Sequence, residues 1–455
     1  MAKKVKKVFL CSECGFESPT WAGQCPNCRA WGTLEEYTPP SAPAGDRPRG
    51  LSDSTEPIPL GKVGTRTYSR IDTGIGELNR VLGGGVIPGS LILISGEPGI
   101  GKSTLIIQVS DSVARTYGRV LYVSGEESEE QIKLRADRVC GDISEELYIF
   151  SETNMERVLQ ACKKIKPRFL VIDSIQTMYT QELDNIAGSV TQIRACSSLL
   201  MQYAKSEGVP VFMVAHINKS GDIAGPKTIE HMVDAVLSFT GERNGELRLL
   251  RAFKNRFGTT EEIGAFRMGA QGMEEVSDLS GSMVENMDIS EEGSVVSGVY
   301  EGSRPVFFEI QALVSPANVG FARRTSVGVD SNRLNMILAV LEKKAGISLL
   351  NYDVYVNVVG GIRPDGPSAD LATALAIYSS FRGISPKKKL IAVGEVGLTG
   401  NLRSVRNVDK ILPEAERLGF DGVIIPSRTS VKKEGSIAVH RAAGIRDAIK
   451  IFREQ

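Results

Sequence analysis

The sequence predicts an α/β protein with a largely parallel central sheet, preceded by a small cysteine-rich module and followed by a second domain of mixed α+β pattern. Three observations carry that expectation. From Arg70 to Met268, short β-branched runs alternate with amphipathic helical stretches, the pattern of strands joined by covering helices. Four of the seven cysteines fall within the first 28 residues. A polar stretch, Ser277–Glu292, interrupts the chain before strand and helix patterns resume from Val295. The breaks divide the 455 residues into a cysteine module at 1–37, a Pro/Ser/Ala/Gly-rich linker at 38–63, a core at 64–276, a second linker at 277–294 and a C-terminal domain at 295–455. No internal repeat is visible.

Composition narrows the function classes. A hydrophobic fraction of 42% and a charged fraction of 24% are globular values, which exclude disordered, collagen-like and mucin-like chains. The 54 Lys and Arg balance 54 Asp and Glu, which excludes a globally basic, histone-like binder and confines any nucleic-acid site to a local patch. No apolar run approaches the roughly 18 residues of a membrane span. Lys3, Lys4, Lys6 and Lys7 imitate the start of a secretion signal, but Val8-Phe9-Leu10 is too short to be its apolar segment. The expectation is a cytoplasmic protein without a membrane partner.

The cysteine module reads Cys11-x2-Cys14, ten residues, then Cys25-x2-Cys28. Two such knuckles can set four thiolates tetrahedrally around one Zn²⁺, in the manner of a small rubredoxin-like zinc ribbon. Gly15 and Asn27 suit the tight turns. A disulfide framework does not fit a reducing cytosol. A module this small needs the metal to fold, so the zinc is structural. Cys140, Cys162 and Cys196 read as small buried hydrophobes.

Within the core, strands are expected at Leu91–Ser95, Val120–Ser124, Phe169–Asp173, Val211–Ala215 and Ala235–Thr240. After the first comes Gly96-Glu97-Pro98-Gly99-Ile100-Gly101-Lys102-Ser103, and a helix is expected over Thr104–Arg115. This is a GxxxxGK[ST] loop between strand and helix, the context in which that motif binds ATP. Its glycines let backbone N–H groups turn onto the β- and γ-phosphates, aided by the helix dipole. Lys102 neutralises the γ-phosphate and Ser103 can ligate Mg²⁺. Phe169-Leu-Val-Ile-Asp173 places a carboxylate at another strand end, suited to hold Mg²⁺ through water. Glu126 and Glu127 follow a third strand; either can orient the attacking water or cap a helix, and Glu126 is preferred.

Gly83-Gly84-Gly85, Pro88-Gly89 and Ser124-Gly125-Glu126-Glu127-Ser128 resemble the RecA/KaiC type of P-loop ATPase. Nearly all of the chain resembles the RadA (Sms) family of bacterial DNA repair proteins. Three blocks in one order carry this: the four-cysteine finger, a RecA-like ATPase core containing Lys254-Asn255-Arg256-Phe257-Gly258, and a C-terminal region similar to the Lon protease domain. The resemblance implies a ring-forming ATPase, expected as a homohexamer, stimulated by single-stranded DNA and driving branch migration of recombination intermediates. Branched DNA and the RecA recombinase are the implied partners.

The residues agree with that implication in part. Lys254 and Arg256 follow an expected strand, Leu247–Ala252, with nothing acidic beside them before Glu261. Both could reach a γ-phosphate across a subunit interface, or form a basic surface turn. The polar stretches Thr180–Thr191 and Asn218–Thr228 fall where RecA-like rings carry DNA loops, with Arg194, Lys219 and Lys227 in or near them. Contacts to the phosphate backbone there would suit sequence-independent binding of one strand. His216, one step past a strand, suits sensing the γ-phosphate.

In the C-terminal region, strands are expected at Val306–Leu313, Tyr352–Val359, Leu390–Val393 and Gly422–Ile425. Asp365-Gly366-Pro367-Ser368-Ala369 is similar to the Lon nucleophile segment. Counting from Gly394-Glu395-Val396-Gly397 and Gly400, the Lon lysine position falls on Asp409. A Ser–Lys protease needs an amine to take the proton. Lys410, one residue on, points about 100° away on a helix. The implied fold is therefore kept and the peptidase lost. Basic clusters at Arg323-Arg324, Lys343-Lys344 and Lys387–Lys389 leave a DNA-binding scaffold role open. Two other readings were weighed, an ATP-dependent Ser–Lys protease and a KaiC-like ATPase without DNA; Asp409 disfavours the first, and Lys254–Gly258 with the finger disfavours the second.

Replacing Cys25 or Cys28 with Ser leaves three thiolates to hold the metal. Elemental analysis of either variant should show the loss of one zinc per chain.

Overall fold

The computed structural model describes residues 8–11, 17–27, 29–37, 59, 69–216, 229–241, 247–285, 287–288, 291–317, 322–364, 366–431 and 435–455. The chain forms two compact units, Met1–Glu275 and Val276–Gln455. Among the described residues no helix is long and apolar enough to cross a membrane.

The first unit opens with a three-stranded antiparallel ribbon of β1 (Val8–Cys11), β2 (Glu17–Ser18) and β3 (Leu34–Tyr37), in the order β2-β1-β3. Its core is Cys11, Cys25 and Leu34, with Phe9 and Ala22 packed against them. So few apolar side chains cannot hold a module together alone, which is the situation a structural metal relieves.

The larger sheet of this unit has nine strands. In chain order come α1 (Gly76–Leu82), β4 (Leu91–Gly96), α2 (Lys102–Tyr117), β5 (Val120–Ser124), α3 (Glu129–Cys140), β6 (Leu147–Ser151), α4 (Met155–Ile165), β7 (Phe169–Asp173), α5 (Val190–Glu207) and β8 (Val211–His216). Four further strands follow: β9 (Ala235–Thr240), β10 (Leu247–Asn255), β11 (Ile263–Gly269) and β12 (Gly272–Glu275). The order across the sheet is β12-β11-β10-β9-β4-β8-β7-β5-β6. Strands β9 through β6 in that order are parallel, and β10–β12 add an antiparallel edge. Apolar cores fill both faces, one containing Leu105, Ile106 and Val109 of α2, the other Ile193, Cys196 and Leu200 of α5. Burial on both faces explains why β4, β5 and β7 read as near-continuous apolar runs in sequence.

Several boundaries differ from the sequence expectation. The helix after the P-loop begins at Lys102 and runs to Tyr117. His216 ends β8 instead of following it. Strand β10 continues to Asn255 through a bulge between Ala252 and Lys254. The stretch 277–294 carries a short helix, α6 (Leu279–Val284), capped by the Asp278 side chain, with Leu279, Met283 and Val284 buried. Three apolar residues at helical spacing were hidden there among Ser, Gly and acidic neighbours.

The second unit is a seven-stranded mixed sheet built from β13 (Ser294–Glu301), β14 (Arg304–Pro316), β15 (Arg324–Val327), β16 (Tyr352–Val358), β17 (Leu390–Ala392), β20 (Gly422–Pro426) and β21 (Ala438–Ala442). A two-stranded ribbon, β18 (Glu395–Val396) and β19 (Leu402–Arg403), stands beside it in sequence. Its helices are α7 (Ser331–Val340), α8 (Asp370–Arg382), α9 (Val408–Arg417) and α10 (Ile445–Glu454). Helix α8 is buried through nearly its whole length, from Asp370 to Ser379.

The carboxylate of Asp370, at the start of α8, is buried and accepts hydrogen bonds from the Arg333 guanidinium and from the Val396 backbone N–H. Burial raises the Asp370 carboxyl above its usual range, with Arg333 opposing that rise. Arg333→Ala removes the partner from a buried charge, which costs about 3 kcal/mol or more. Thermal unfolding should show this loss near neutral pH, and the deficit should shrink as pH falls. The sign follows from linkage. A carboxyl whose folded pKa exceeds its unfolded one binds its proton more readily when folded, so lowering pH favours the folded state.

Candidate active site

In the register of the parallel sheet, Gly96 lies opposite His216, and Asp173 lies opposite both Ser124 and Val214. The C-terminal ends of β4, β8, β7 and β5 thus open onto one edge, where ligands bind in parallel α/β sheets.

The P-loop runs from the end of β4 into α2. Ile100 is buried in the core and anchors the loop, while Glu97, Pro98 and Gly99 are exposed. Gly99 has φ +80° and open space where a side chain would stand, a cradle suited to a phosphate. At Gly101, φ is +111°, a left-handed conformation that favours glycine, and a Cβ would press within 2.4 Å of the Met273 Cε tip. Ser103 and Thr104 lie in the first turn of α2. Lys102 is buried and its Nζ donates to the carbonyls of Gly96, at 2.8 Å, and Glu97, at 3.0 Å. Burial draws its ammonium down to about 8, against the opposing pull of Asp173 and Glu126.

Asp173 ends β7, and Tyr122 of β5 donates its phenol to Asp173 Oδ2 at 2.5 Å. Tyr122 is fully buried, which pushes its hydroxyl well above the usual range and keeps it a donor. One carboxylate oxygen is therefore fixed by the protein. With the Ser103 hydroxyl, Asp173 makes a hard-oxygen donor set that fits Mg²⁺.

The two glutamates are separated by their partners. Glu127 is held by Arg135 in a salt bridge. Glu126 accepts from Ser174 Oγ at 2.5 Å and lies 3.3 Å from His216 Nε2. It thus joins the ends of β5, β7 and β8, half-exposed at the open edge. Gly125 makes this possible, since a Cβ there would strike Thr177 Oγ1. Gln176 ties the network onward through a bond from Nε2 to the His216 carbonyl, at 3.2 Å. The sequence reading missed Tyr122, Ser174 and Gln176, because each acts only through contacts between strands.

Lys254–Gly258 lies at the other end of the sheet. Arg256 N donates to the Asp234 carbonyl and Asp234 N to the Leu91 carbonyl, so Arg256 is level with the start of β4. Five residues of strand separate that level from Gly96, roughly 16 Å at 3.3 Å per residue. Asp234 is buried and its carboxylate collects Arg256 Nη1 at 3.3 Å, Lys205 Nζ at 2.7 Å and Leu91 N at 3.0 Å. The expectation that nothing acidic stands by these cations is thereby corrected: the acid comes from a distant part of the chain. Lys254 does not project from a strand end; its Nζ donates to the carbonyls of Glu230 and His231. Asn255 bonds the Val81 carbonyl and the Phe257 N–H, and Arg70 donates to the carbonyls of Leu82, Gly85 and Phe257. Gly258 sits against Gly83, where a Cβ would be 3.2 Å from the Gly83 Cα. Arg256 keeps an exposed side chain, at 56%.

Of the expected DNA loops, Asn218–Thr228, with Lys219 and Lys227, lies outside the described residues. In the other, Val190 and Thr191 belong to α5, and Gln192 holds Thr180, Leu183 and Asn185 through their backbones. Arg194 is on α5, half-buried. Of the expected zinc ligands, Cys11 and Cys25 are buried in the ribbon core, while Cys14 and Cys28 lie outside the described residues.

In the second unit, Ser368 is buried and its Oγ has no hydrogen-bond partner among the described residues. Asp409 is in the first turn of α9, and Lys410 lies over the Tyr300 ring, 4.3 Å from its centroid. Of the basic clusters, Arg324 donates to the Leu349 carbonyl and Lys389 covers the Phe420 ring.

A strand–P-loop–helix at the centre of a parallel sheet, with Asp173 and Glu126 on neighbouring strand ends, defines a RecA-like P-loop ATPase core; it is joined to a zinc ribbon and a Lon-protease-like C-terminal domain. Family profiles agree: an AAA domain matches residues 59–222, a rubredoxin metal-binding domain 9–36, and the ChlI subunit of Mg-chelatase 318–429. The chain is 48% identical over 431 residues to the DNA repair protein RadA of Halalkalibacterium halodurans, covering 94% of each. It is 45% identical over 452 residues to that of Bacillus subtilis, covering 98% of each. The chain belongs to the family of the DNA repair protein RadA.

Tyr122→Phe removes the one bond shown to fix Asp173 and leaves the P-loop intact. A hydrogen bond to a charged group is worth about 1.5–3 kcal/mol, so ATP turnover should fall roughly tenfold or more. Binding of a fluorescent ATP analogue without Mg²⁺ should be unchanged, whereas its tightening by Mg²⁺ should weaken. Steady-state kinetics and nucleotide titrations check both.

Proposed function

We propose that the chain is a DNA-dependent ATPase motor that binds single-stranded DNA and moves branch points of homologous recombination intermediates in double-strand break repair. We further propose that it works as a homohexameric ring, with the RecA recombinase as partner. The observation that carries this reading is the distance between the two halves of the hydrolysis machinery. The P-loop, Glu126 and Asp173 share one sheet edge, while Arg256 stands roughly 16 Å away along the strands. Within one subunit Arg256 cannot touch the bound phosphates, so its role in hydrolysis is at an adjacent copy's site. The name of the relatives, DNA repair protein RadA, supports DNA as the track.

In this mechanism the P-loop amides bind and orient the β- and γ-phosphates. Lys102 turns from the Gly96 and Glu97 carbonyls to the γ-phosphate. Mg²⁺, held by Ser103 and Asp173, supplies charge neutralisation when bound with the nucleotide. Glu126, set by Ser174 and His216, orients the attacking water and accepts its proton. Arg256 of an adjacent copy offsets charge that develops in the transition state. The ribbon holds Zn²⁺ on Cys11, Cys14, Cys25 and Cys28. The C-terminal domain acts as scaffold, since Asp409 offers Ser368 no amine.

The ATPase rate should rise when single-stranded DNA is added; an unchanged rate would remove the motor reading. Arg256→Ala should bind ATP normally but hydrolyse it about 10³-fold more slowly. Lys102→Ala should be inert through its own P-loop. Mixed rings place an intact P-loop beside an intact Arg256, so mixing the two variants should restore part of the activity. A co-assembled mixture that stays inert would assign Arg256 to its own subunit or to DNA.

A further inference from the structure

The chain has two tryptophans, Trp21 and Trp31, and both are on the N-terminal ribbon, 62% and 76% exposed. Neither belongs to the small apolar core there. The backbone brings them together. Gly32 N donates to the Gly23 carbonyl at 2.8 Å, Cys25 N to the Ala30 carbonyl at 2.9 Å, and Gln24 and Trp31 form an antiparallel bridge. A methyl group placed on Gly23 would lie 3.6 Å from Trp31 Cζ3 and 4.0 Å from Trp21 Cη2. The two indoles therefore flank one gap, with the bare backbone of Gly23 as its floor.

The surroundings of that gap are polar. Thr20, Gln24, Asn27 and Arg29 are exposed around it in sequence, with Pro26 the one other exposed apolar residue between Thr20 and Trp31 among the described residues. From Trp21 to Gly32 Arg29 is the one basic side chain and no Asp or Glu occurs, the thiolates of Cys25 and Cys28 being the ones expected on the zinc. Lys3, Lys4, Lys6 and Lys7 precede β1 in the chain. Flat π surfaces with the Arg29 cation in the same stretch suit one ligand class best: unpaired nucleobases on a phosphate backbone, which stack on aromatic rings with little regard to sequence.

We propose that Trp21 and Trp31 form a stacking platform for bases of single-stranded DNA on the zinc ribbon, with Arg29 meeting the adjoining phosphates. The inference rests on the single-strand-binding reading above and adds to it a site outside the ATPase core.

The test uses the full-length, zinc-loaded chain. Because it has no other tryptophan, its tryptophan emission, excited selectively, reports this gap alone. A labelled poly-dT oligonucleotide is titrated, following anisotropy of the label for binding and tryptophan emission for stacking. Emission should be quenched along the anisotropy curve, and an abasic oligonucleotide of equal length should quench far less. Trp21→Ala with Trp31→Ala should weaken dT binding roughly tenfold at unchanged zinc content, and Phe at both positions should recover most of it. Binding by anisotropy without quenching, or equal quenching by the abasic strand, would overturn the platform while leaving single-strand binding intact. Absence of anisotropy change in the wild type would instead remove the single-strand reading, and the platform with it.

Discussion

The pairing register of four parallel strands is the constraint on which the rest depends. Strands β4, β8, β7 and β5 end within a residue or two of one another, because Gly96 pairs with His216 and Asp173 with Ser124. A parallel register cannot slip by one residue without turning every side chain to the opposite face. With both faces buried in apolar cores, that slip is prohibitive. The register therefore fixes the separation between P-loop, Asp173 and Glu126 before any polar contact forms. The polar contacts then set orientation, through the Tyr122 hydroxyl on Asp173 and the Ser174 hydroxyl on Glu126.

What was legible in the sequence were features whose chemistry is local. The P-loop announces itself by glycine spacing, and Asp173 by standing at the end of an apolar run. The Cys pairs are recognisable because metal geometry demands close spacing in the chain. What was hidden required partners from elsewhere. Asp234 looks like an ordinary loop acid, yet it pairs with Arg256 22 residues on and Lys205 29 residues back. Tyr122 reads as one more aromatic in a strand, and its bond to Asp173 spans 51 residues. Gln192 has no motif, although its amide orders the loop before α5. The helix Leu279–Val284 was invisible because three apolar residues in a Ser/Gly context are too few to give a period.

In the C-terminal unit a buried hydroxyl and a buried carboxylate stand two residues apart with different partners. Ser368 is still presented at the start of α8, but it is buried and without a hydrogen-bond partner among the described residues. The neighbouring charge, Asp370, is committed to Arg333 and to the Val396 N–H, joining α7, α8 and β18. Asp370 thus acts as a structural tie within this unit.

Arg70 has a mechanical consequence. Just past the start of the described core, Ile71 exchanges two backbone hydrogen bonds with Val86, and the Arg70 guanidinium reaches the Phe257 carbonyl at 2.9 Å. A pull applied at Arg70 would load the Ile71–Val86 bridge and, through the guanidinium, the backbone beside Arg256. The P-loop is on the far side of the strands and is not in this load path. A pull at this end of the core would thus be felt first beside Arg256 and not at the P-loop.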